Sequence, residues 1–235
     1  MTEQNADSAD SRSGQIAQTL DRGLQILETL SQAPDGMTIT QLATEQGLHR
    51  SIAARLLVTL DKRGFVTRSP DGRYRLGYTV FTLARTVSNN AILATTPLMV
   101  EAATELNATI VYHVADGHET ITIGSIEPPS GAFRLGMRPG ARHPIEVAAH
   151  GMAILAGREP RPGERPEITE ARRLGYAVSV GEVLPGFAGV CAPIMISGRT
   201  DSSVGCVVPR ERSGEFEKLG AAVIDLAHRM SLIFG

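Results

Sequence analysis

Apolar residues near the start of the chain recur at three- and four-residue steps: Ile16, Leu20, Leu24, Leu27 and Leu30. That spacing predicts an amphipathic helix with this stripe inward, and Pro34, Asp35 and Gly36 predict its end. Thr38, followed three residues later by Gln41, has the form of a capping box, in which each side chain satisfies a backbone N–H of the other residue. A short second helix is expected there, with Leu42 and Ala43 inward and Gly47 as its left-handed stop. A third helix is predicted from about Arg50, with Ile52, Leu56, Leu57 and Leu60 inward and Gly64 ending it. Phe65 to Arg68 alternates as a strand, Asp71 and Gly72 supply a hairpin turn, and Arg73 to Leu76 alternates back. In that hairpin Tyr74 and Leu76 share one side, and Arg73 and Arg75 the other.

Two short helices across a Gly-containing turn, preceded by a helix and followed by a basic hairpin, predict a winged helix-turn-helix. Subtracting the inward stripe of the third helix leaves His49, Arg50, Ser51, Ala54, Arg55 and Thr59 outside. Donors are concentrated in the first two turns, where a recognition helix meets base edges and phosphates. Arg68, Arg73 and Arg75 of the hairpin are expected along phosphates or in the minor groove. A solvated helix face and a surface hairpin with incidental arginines are the alternatives; three such elements in this order favour double-stranded DNA as the partner.

The remaining pattern mixes both periodicities. Tyr78 to about Ala94 has helical spacing at Val80, Leu83 and Val87, softened at Asn89 and Asn90, and reads either as a dimer seam or as packing on its own domain. Pro97 is expected to start another helix, where its missing N–H costs nothing. Strands are predicted at Ala108–Ala115 and Glu119–Ile126 across the Asp116-Gly117 turn, and at Phe133–Met137. A buried helix is predicted at Ile145–Ala156, a short helix at Glu167–Leu174, and strands at Tyr176–Val180, Gly189–Ser197 and Ser202–Pro209. A closing helix from Glu215 to about Ile233 points Phe216, Leu219, Ala222, Val223, Leu226, Met230 and Ile233 inward. The fold class is therefore α+β in two domains, the second on a mostly antiparallel sheet. The divisions are a disordered tail at 1–15, the winged domain at 16–77, a linker helix at 78–95 and the second domain at 96–235.

Charge sharpens this division. The net −2 of the 235 residues hides a winged region, 16–90, with nine Lys/Arg against six Asp/Glu, a net +3. A DNA module joined to a module of another kind would show this asymmetry. At 42% hydrophobic and 20% charged residues the chain has an ordinary globular composition. No apolar run is long enough for a membrane span, and residues 1–15 lack the apolar core of a signal peptide. Cys191 and Cys206 are the only cysteines, which suits a reducing cytoplasm and neither a disulfide framework nor a structural zinc.

Catalytic motifs such as HExxH, GxSxG, GxxxxGK[ST] and GxGxxG are absent, so neither enzyme activity nor a cofactor is expected. Cys191 and Cys206 lie in apolar runs and read as unreactive core thiols. Glu146 and His150 stand four apart, a spacing that can hold a metal, but no third ligand is evident and no metal is predicted. His150 is a titratable group in an apolar helix, and reads either as a satisfied core histidine or as a ligand-binding group. In the second reading it joins Glu182 and the backbone of Gly189, Val190 and Cys191, with Met137 and Ala149 beside them, around a small organic-acid or aromatic molecule.

The stretches LDRGLQILETL, TITQLATEQGLHRSIAARLLVTLDKRGFV and DGRYRLG resemble the IclR family of bacterial transcription regulators. So do VADGHET, FRLGMRPGARHPIEVAAHGMAILA, LGYAVSVGE and PGFAGVCAPIMI in the second domain. The resemblance implies a GAF-like effector-binding domain, a dimer seam in the helix after the wing, and a homodimer or dimer of dimers. It places His49, Arg50, Ser51, Ala54 and Arg55 at the operator. It further implies a ligand-responsive repressor of catabolic genes, with an activator as the alternative. An enzyme or sensor carrying a winged domain, and a winged domain used only for protein contact, are the rival readings. The chain departs from the family pattern at His49, Ile52, Met152 and Glu146, so neither operator sequence nor ligand carries over.

Overall fold

The computed structural model describes residues 16–87, 91–129 and 137–234, with the backbone alone at 85–87 and 91. It divides into two compact units, Met1–Ser88 and Asn89–Gly235. The expected tail at 1–15, the Asn89-Asn90 interruption and all but Met137 of the expected strand at Phe133–Met137 fall outside the described residues; Met137 itself is not in a strand.

In the first unit, helices α1 (Gln18–Ser31), α2 (Ile39–Glu45) and α3 (Arg50–Lys62) precede a two-stranded hairpin, β1 (Val66–Arg68) and β2 (Tyr74–Leu76). The capping box forms: the Thr38 hydroxyl accepts from the Gln41 N–H at 3.3 Å, and the Gln41 side chain accepts from the Thr38 N–H at 2.9 Å. Gly47 and Gly64 take the left-handed conformation that stops α2 and α3.

Two faces differ from expectation. Helix α1 buries Gly23, Ile26 and Leu30, while Ile16, Leu20 and Leu24 stay exposed. Successive four-residue steps each overshoot a full turn by roughly 40°, which rotates Leu20 and Leu24 off the core. Helix α3 buries Ala53, Leu56 and Leu57, leaving Ile52 exposed. Ala53 is one position off the predicted stripe, but it lies at the centre of the face formed by Leu56, Leu57 and Leu60, whereas Ile52, four residues before Leu56, lies at its edge.

Helix α4 (Tyr78–Val87) follows the wing, and the larger unit begins with α5 (Ala91–Leu106). The correction here is at Pro97, which lies inside α5 rather than at its start. Apolar Ile92 and Leu93 carry the helix upstream of it, and the Thr96 hydroxyl donates to the Ile92 carbonyl at 2.7 Å.

The larger unit is built on a six-stranded antiparallel sheet in the order β5-β4-β3-β8-β7-β6. Its strands are β3 (Thr109–Asp116), β4 (Glu119–Ile126), β5 (Arg142–Pro144), β6 (Ala177–Val180), β7 (Phe187–Ile196) and β8 (Arg199–Pro209). The three-residue β5 was not predicted; it contains a proline and shows no alternation. Helix α5 and the closing helix α8 (Phe216–Phe234) pack Met99, Leu219, Val223, Leu226 and Met230 with sheet residues including Ile110, Val190 and Cys206. A second core joins Met152 and Ile154 of α6 (Ala148–Ala156) and Ile168 of α7 (Pro166–Leu174) to Ala177 and Cys191. The two cores sit on opposite faces of the sheet, since neighbours along one strand, Val190 and Cys191, divide between them. Ile233 of α8 is exposed, against expectation, and Phe234 closes that end by stacking on Tyr112. Among the described residues, no helix is long and apolar enough to cross a membrane.

Candidate functional sites

In the first unit the outer face of α3 is largely open. Arg50, Ser51, Arg55 and Thr59 are exposed, and Ala54 is half-buried. His49 is the N-cap: its Nδ1 accepts from the Ser51 N–H at 3.4 Å and lies 2.8 Å from the Ser51 hydroxyl. The ring thus fixes the start of the helix as well as facing outward. Among the described residues, Arg50 and Arg55 have no side-chain hydrogen bond or ion pair. Sequence reasoning missed Arg22 of α1, which lines a cleft between α1 and α3 together with Arg55 and Thr59. Its only sequence signal was a basic residue on a helix otherwise read for its apolar stripe.

The hairpin arginines divide. The Arg68 guanidinium lies 5.8 Å over the Tyr74 ring and remains exposed. Arg73 donates to the Gly36 carbonyl at 2.9 Å and lies 3.8 Å from Asp71. Arg75 donates to the Asp35 carbonyl at 2.9 Å and to the Ser69 hydroxyl. Both are turned back onto the loop after α1. In α4, Val80 is half-buried while Tyr78, Phe81 and Leu83 are exposed; the Val87 side chain lies outside the described residues.

The second site is a pocket on the α6 face of the sheet, with about 450 Å³ of atom-free space, part of it open to solvent. It brings together Met137, Ala149, His150, Glu182, Gly189 and Cys191. Val190 is absent because strand alternation turns it into the opposite core. Sequence reasoning missed His113, Ser179 and the apolar side chains Val183, Leu184 and Phe187. His113 shares a strand face with Val111, which also lines the pocket, so alternation along β3 held the missing signal.

His113 and His150 stack with ring centroids 4.3 Å apart and planes 13° apart, and His143 tilts against His150 at 5.6 Å. Both nitrogens of His113 and the Nε2 of His150 are buried without a partner. Burial pushes the His113 pKa well below the ordinary imidazole range, helped by its histidine neighbours. Burial, then the nearby His143, lowers His150 to about 4. Both rings are therefore neutral near pH 7.

Glu182 accepts from the Ala148 N–H at 3.0 Å and from both terminal nitrogens of Arg165 at 3.0 and 3.1 Å. The Arg165 contact holds the Glu182 carboxyl below its usual range. Ala148 sits at φ 62, an unusual value for a residue with a side chain, and its N–H meets this carboxylate. Ala149 donates to the Ser179 hydroxyl at 2.9 Å. Gly151, in the next turn, stands against the Ile145 carbonyl, which a Cβ would approach to 1.9 Å.

The Glu146–His150 pair does not form on one helix face, because α6 starts at Ala148 and Glu146 precedes it. No group of three His, Cys, Asp or Glu suited to a metal occurs among the described residues. Burial raises the Cys191 thiol far above its ordinary range and Cys206 to about 12. Neither is a thiolate nucleophile.

The IclR helix-turn-helix domain, as a family model, matches residues 19–70. The chain is 30% identical over 157 residues to the HTH-type transcriptional regulator Rv1719 of Mycobacterium tuberculosis, covering 66% of this chain and 60% of that protein. It is 29% identical over 148 residues to the transcriptional repressor IclR of Escherichia coli, covering 61% and 53%. The match thus spans little more than half the length of these relatives. Over the full fold, the chain resembles the crystal structure of an IclR transcriptional regulator from Alicyclobacillus acidocaldarius, with a TM-score of 0.75 and 25% identity over 94% of this chain and 100% of that one. It shares the fold of an IclR homologue from Microbacterium hydrocarbonoxydans complexed with 4-hydroxybenzoate, at 20% identity and a TM-score of 0.76 over 92% and 99%. With the winged unit and the antiparallel sheet, residues 19–70 carry an IclR-type helix-turn-helix, and the chain is similar in sequence and fold to IclR transcription regulators.

Proposed function

We propose that the protein is a ligand-responsive transcriptional repressor that reads operator DNA through α3 as a homo-oligomer. The observation that carries the DNA half is the set of unpartnered guanidiniums on one face, Arg50 and Arg55 of α3, with Arg22 alongside. Exposed arginines without internal partners are free to neutralise phosphates and to fork onto base edges. His49 and Ser51 are spent partly on capping α3, so they fix where the helix meets the groove more than what it reads. A single winged unit with so few contacts binds weakly, and two held in register by one assembly gain affinity as effective concentration. The exposed apolar side chains of α4, Phe81 and Leu83 with half-buried Val80, supply the seam in this reading.

The pocket bounded by His113, His150 and Glu182 is the effector site. Its support is the unpartnered imidazole nitrogens in an enclosed, mostly apolar space, the composition of a small-molecule site. The homologue that binds 4-hydroxybenzoate supports a small aromatic or organic-acid effector of the same class. Repression fits the relatives that carry that name, and an activator would use the same two sites. To switch, the ligand must favour one arrangement of the protein over another, since equal affinity shifts nothing.

The test is fluorescence anisotropy with a duplex selected by the protein from a random pool, titrated across salt. A steep fall of affinity with salt is expected. A salt-independent affinity, or none, refutes operator binding and leaves the winged unit as a protein-contact module.

A further inference from the structure

The pocket of the larger unit offers little to a charged ligand. The backbone N–H groups that open α6 would ordinarily welcome an anion. Here Ala148 N–H is taken by Glu182 at 3.0 Å, and Ala149 N–H by the Ser179 hydroxyl at 2.9 Å. The neighbouring cation, Arg165, closes on the same Glu182 carboxylate with both terminal nitrogens. Among the described lining residues there is no lysine or arginine. The protein has filled its own anion site with its own carboxylate.

What remains on the inner wall is imidazole. His113 and His150 are 1% and 5% exposed, so both rings are closed off from bulk water over nearly all of their surface. Three of the four ring nitrogens have no partner. A neutral imidazole carries one N–H donor and one lone pair, so the stacked pair presents donors and acceptors without charge. Around it stand His143 from β5, Thr122 from β4, Cys191 from β7, Ser203 from β8 and Glu182 from the loop after β6. His143 opposes a proton on His150, and Glu182 favours one.

We propose that this pocket selects a small molecule whose polar head enters without net charge: a hydroxyl, a primary amide, or a carboxylate accompanied by one proton that settles on the His113–His150 pair. The proposal rests on the reading of this pocket as the effector site and deepens it. For a carboxylate the balance is simple. The anion and one proton from solvent combine with the neutral pair to give carboxylate against imidazolium, and no electrons move. The affinity of an acid then rises about tenfold for each pH unit lowered while the free imidazoles are neutral, and that of its amide stays flat.

The experiment uses the full chain. Small aromatic and aliphatic monocarboxylic acids are screened by thermal shift, each beside its primary amide, with 4-hydroxybenzoate and 4-hydroxybenzamide among them. The best acid–amide pair then goes to calorimetry between about pH 6 and 8, in two buffers of different ionisation enthalpy. Uptake of close to one proton per site with the acid, and none with the amide, is expected. His150→Gln and His113→Gln, each checked for an intact melting transition, should lose the proton uptake. Tight binding of an acid with no proton uptake overturns the proposal and leaves the effector site standing, because a fixed cation must then meet the ligand. Stabilisation by no member of the set overturns both. The wild-type proton count stands even if a histidine variant fails to fold.

Discussion

The division of arginines in the winged unit makes a sharp prediction about two substitutions. Arg55 is exposed and unpartnered, whereas Arg73 donates to the Gly36 carbonyl at 2.9 Å. Arg55→Ala therefore removes a DNA contact and nothing internal. At about 1.5 kcal/mol per charged hydrogen bond, the low end of the range because the site is exposed, and two copies per operator, the loss is about 3 kcal/mol, or roughly 150-fold in affinity. Each lost phosphate contact lowers the slope of log K against log salt by about 0.9, so two copies lower it by about 1.8. Arg73→Ala should do the reverse. It removes a partly exposed bond between the wing and the loop after α1, worth about 1 kcal/mol, which lowers the melting temperature of so small a unit by roughly 4 to 8 °C. Its salt slope should match wild type. Anisotropy on the selected duplex across a salt series, with thermal unfolding of each variant, separates the two effects. If Arg73→Ala flattens the salt slope as much as Arg55→Ala while melting unchanged, the wing arginine lies on phosphate and the assignment fails.

Other outcomes follow from single contacts. Thr38→Ala removes the hydroxyl of the α2 capping box and should cost about 1 kcal/mol in denaturant unfolding, with Thr38→Ser restoring most of it. The histidines give a pH dependence of known sign. Both have folded pKa values below their unfolded ones, so the unfolded chain binds more protons and stability falls as pH drops below about 6.5. For His150 that loss continues to about 4. Denaturant unfolding of His150→Gln should show a shallower slope in that window, and an unchanged slope would mean the ring is paired. Leu83→Glu should weaken self-association in sedimentation and operator binding together; a loss of stability alone would return α4 to its own unit.

The reader was legible because its rules are short-range. The capping box joins residues three apart, the left-handed stops at Gly47 and Gly64 are single positions, and His49 begins α3 by bonding two residues ahead. Local chemistry decides all three. The failures in the same unit mark the limit of that logic. Ala53 is too small to register in an apolar pattern, so that pattern sets the inward face of α3 one residue off. Alternation assigns Arg73 and Arg75 to the free side of the wing. Their partners, the carbonyls of Gly36 and Asp35, lie 37 and 40 residues away, and no periodicity reports them.

The pocket was legible only in part for the same reason, and the part that escaped is what decides its chemistry. Met137, Ala149, His150, Glu182, Gly189 and Cys191 belong to the site expected from sequence and are brought together. Residue type makes Glu182 a group for a ligand, yet its carboxylate already accepts from Ala148 and Arg165. The sequence distance from Glu182 to each is 34 and 17 residues. His113, invisible as one residue of an ordinary strand, is the polar side chain with both nitrogens unpartnered. A reading by residue type alone counts Glu182 as available and His113 as core, and expects a charged partner for the acid it imagines there. Hydrogen bonds across the fold exchange those roles, and with them the expected ligand changes from a bare anion to a molecule that brings no net charge.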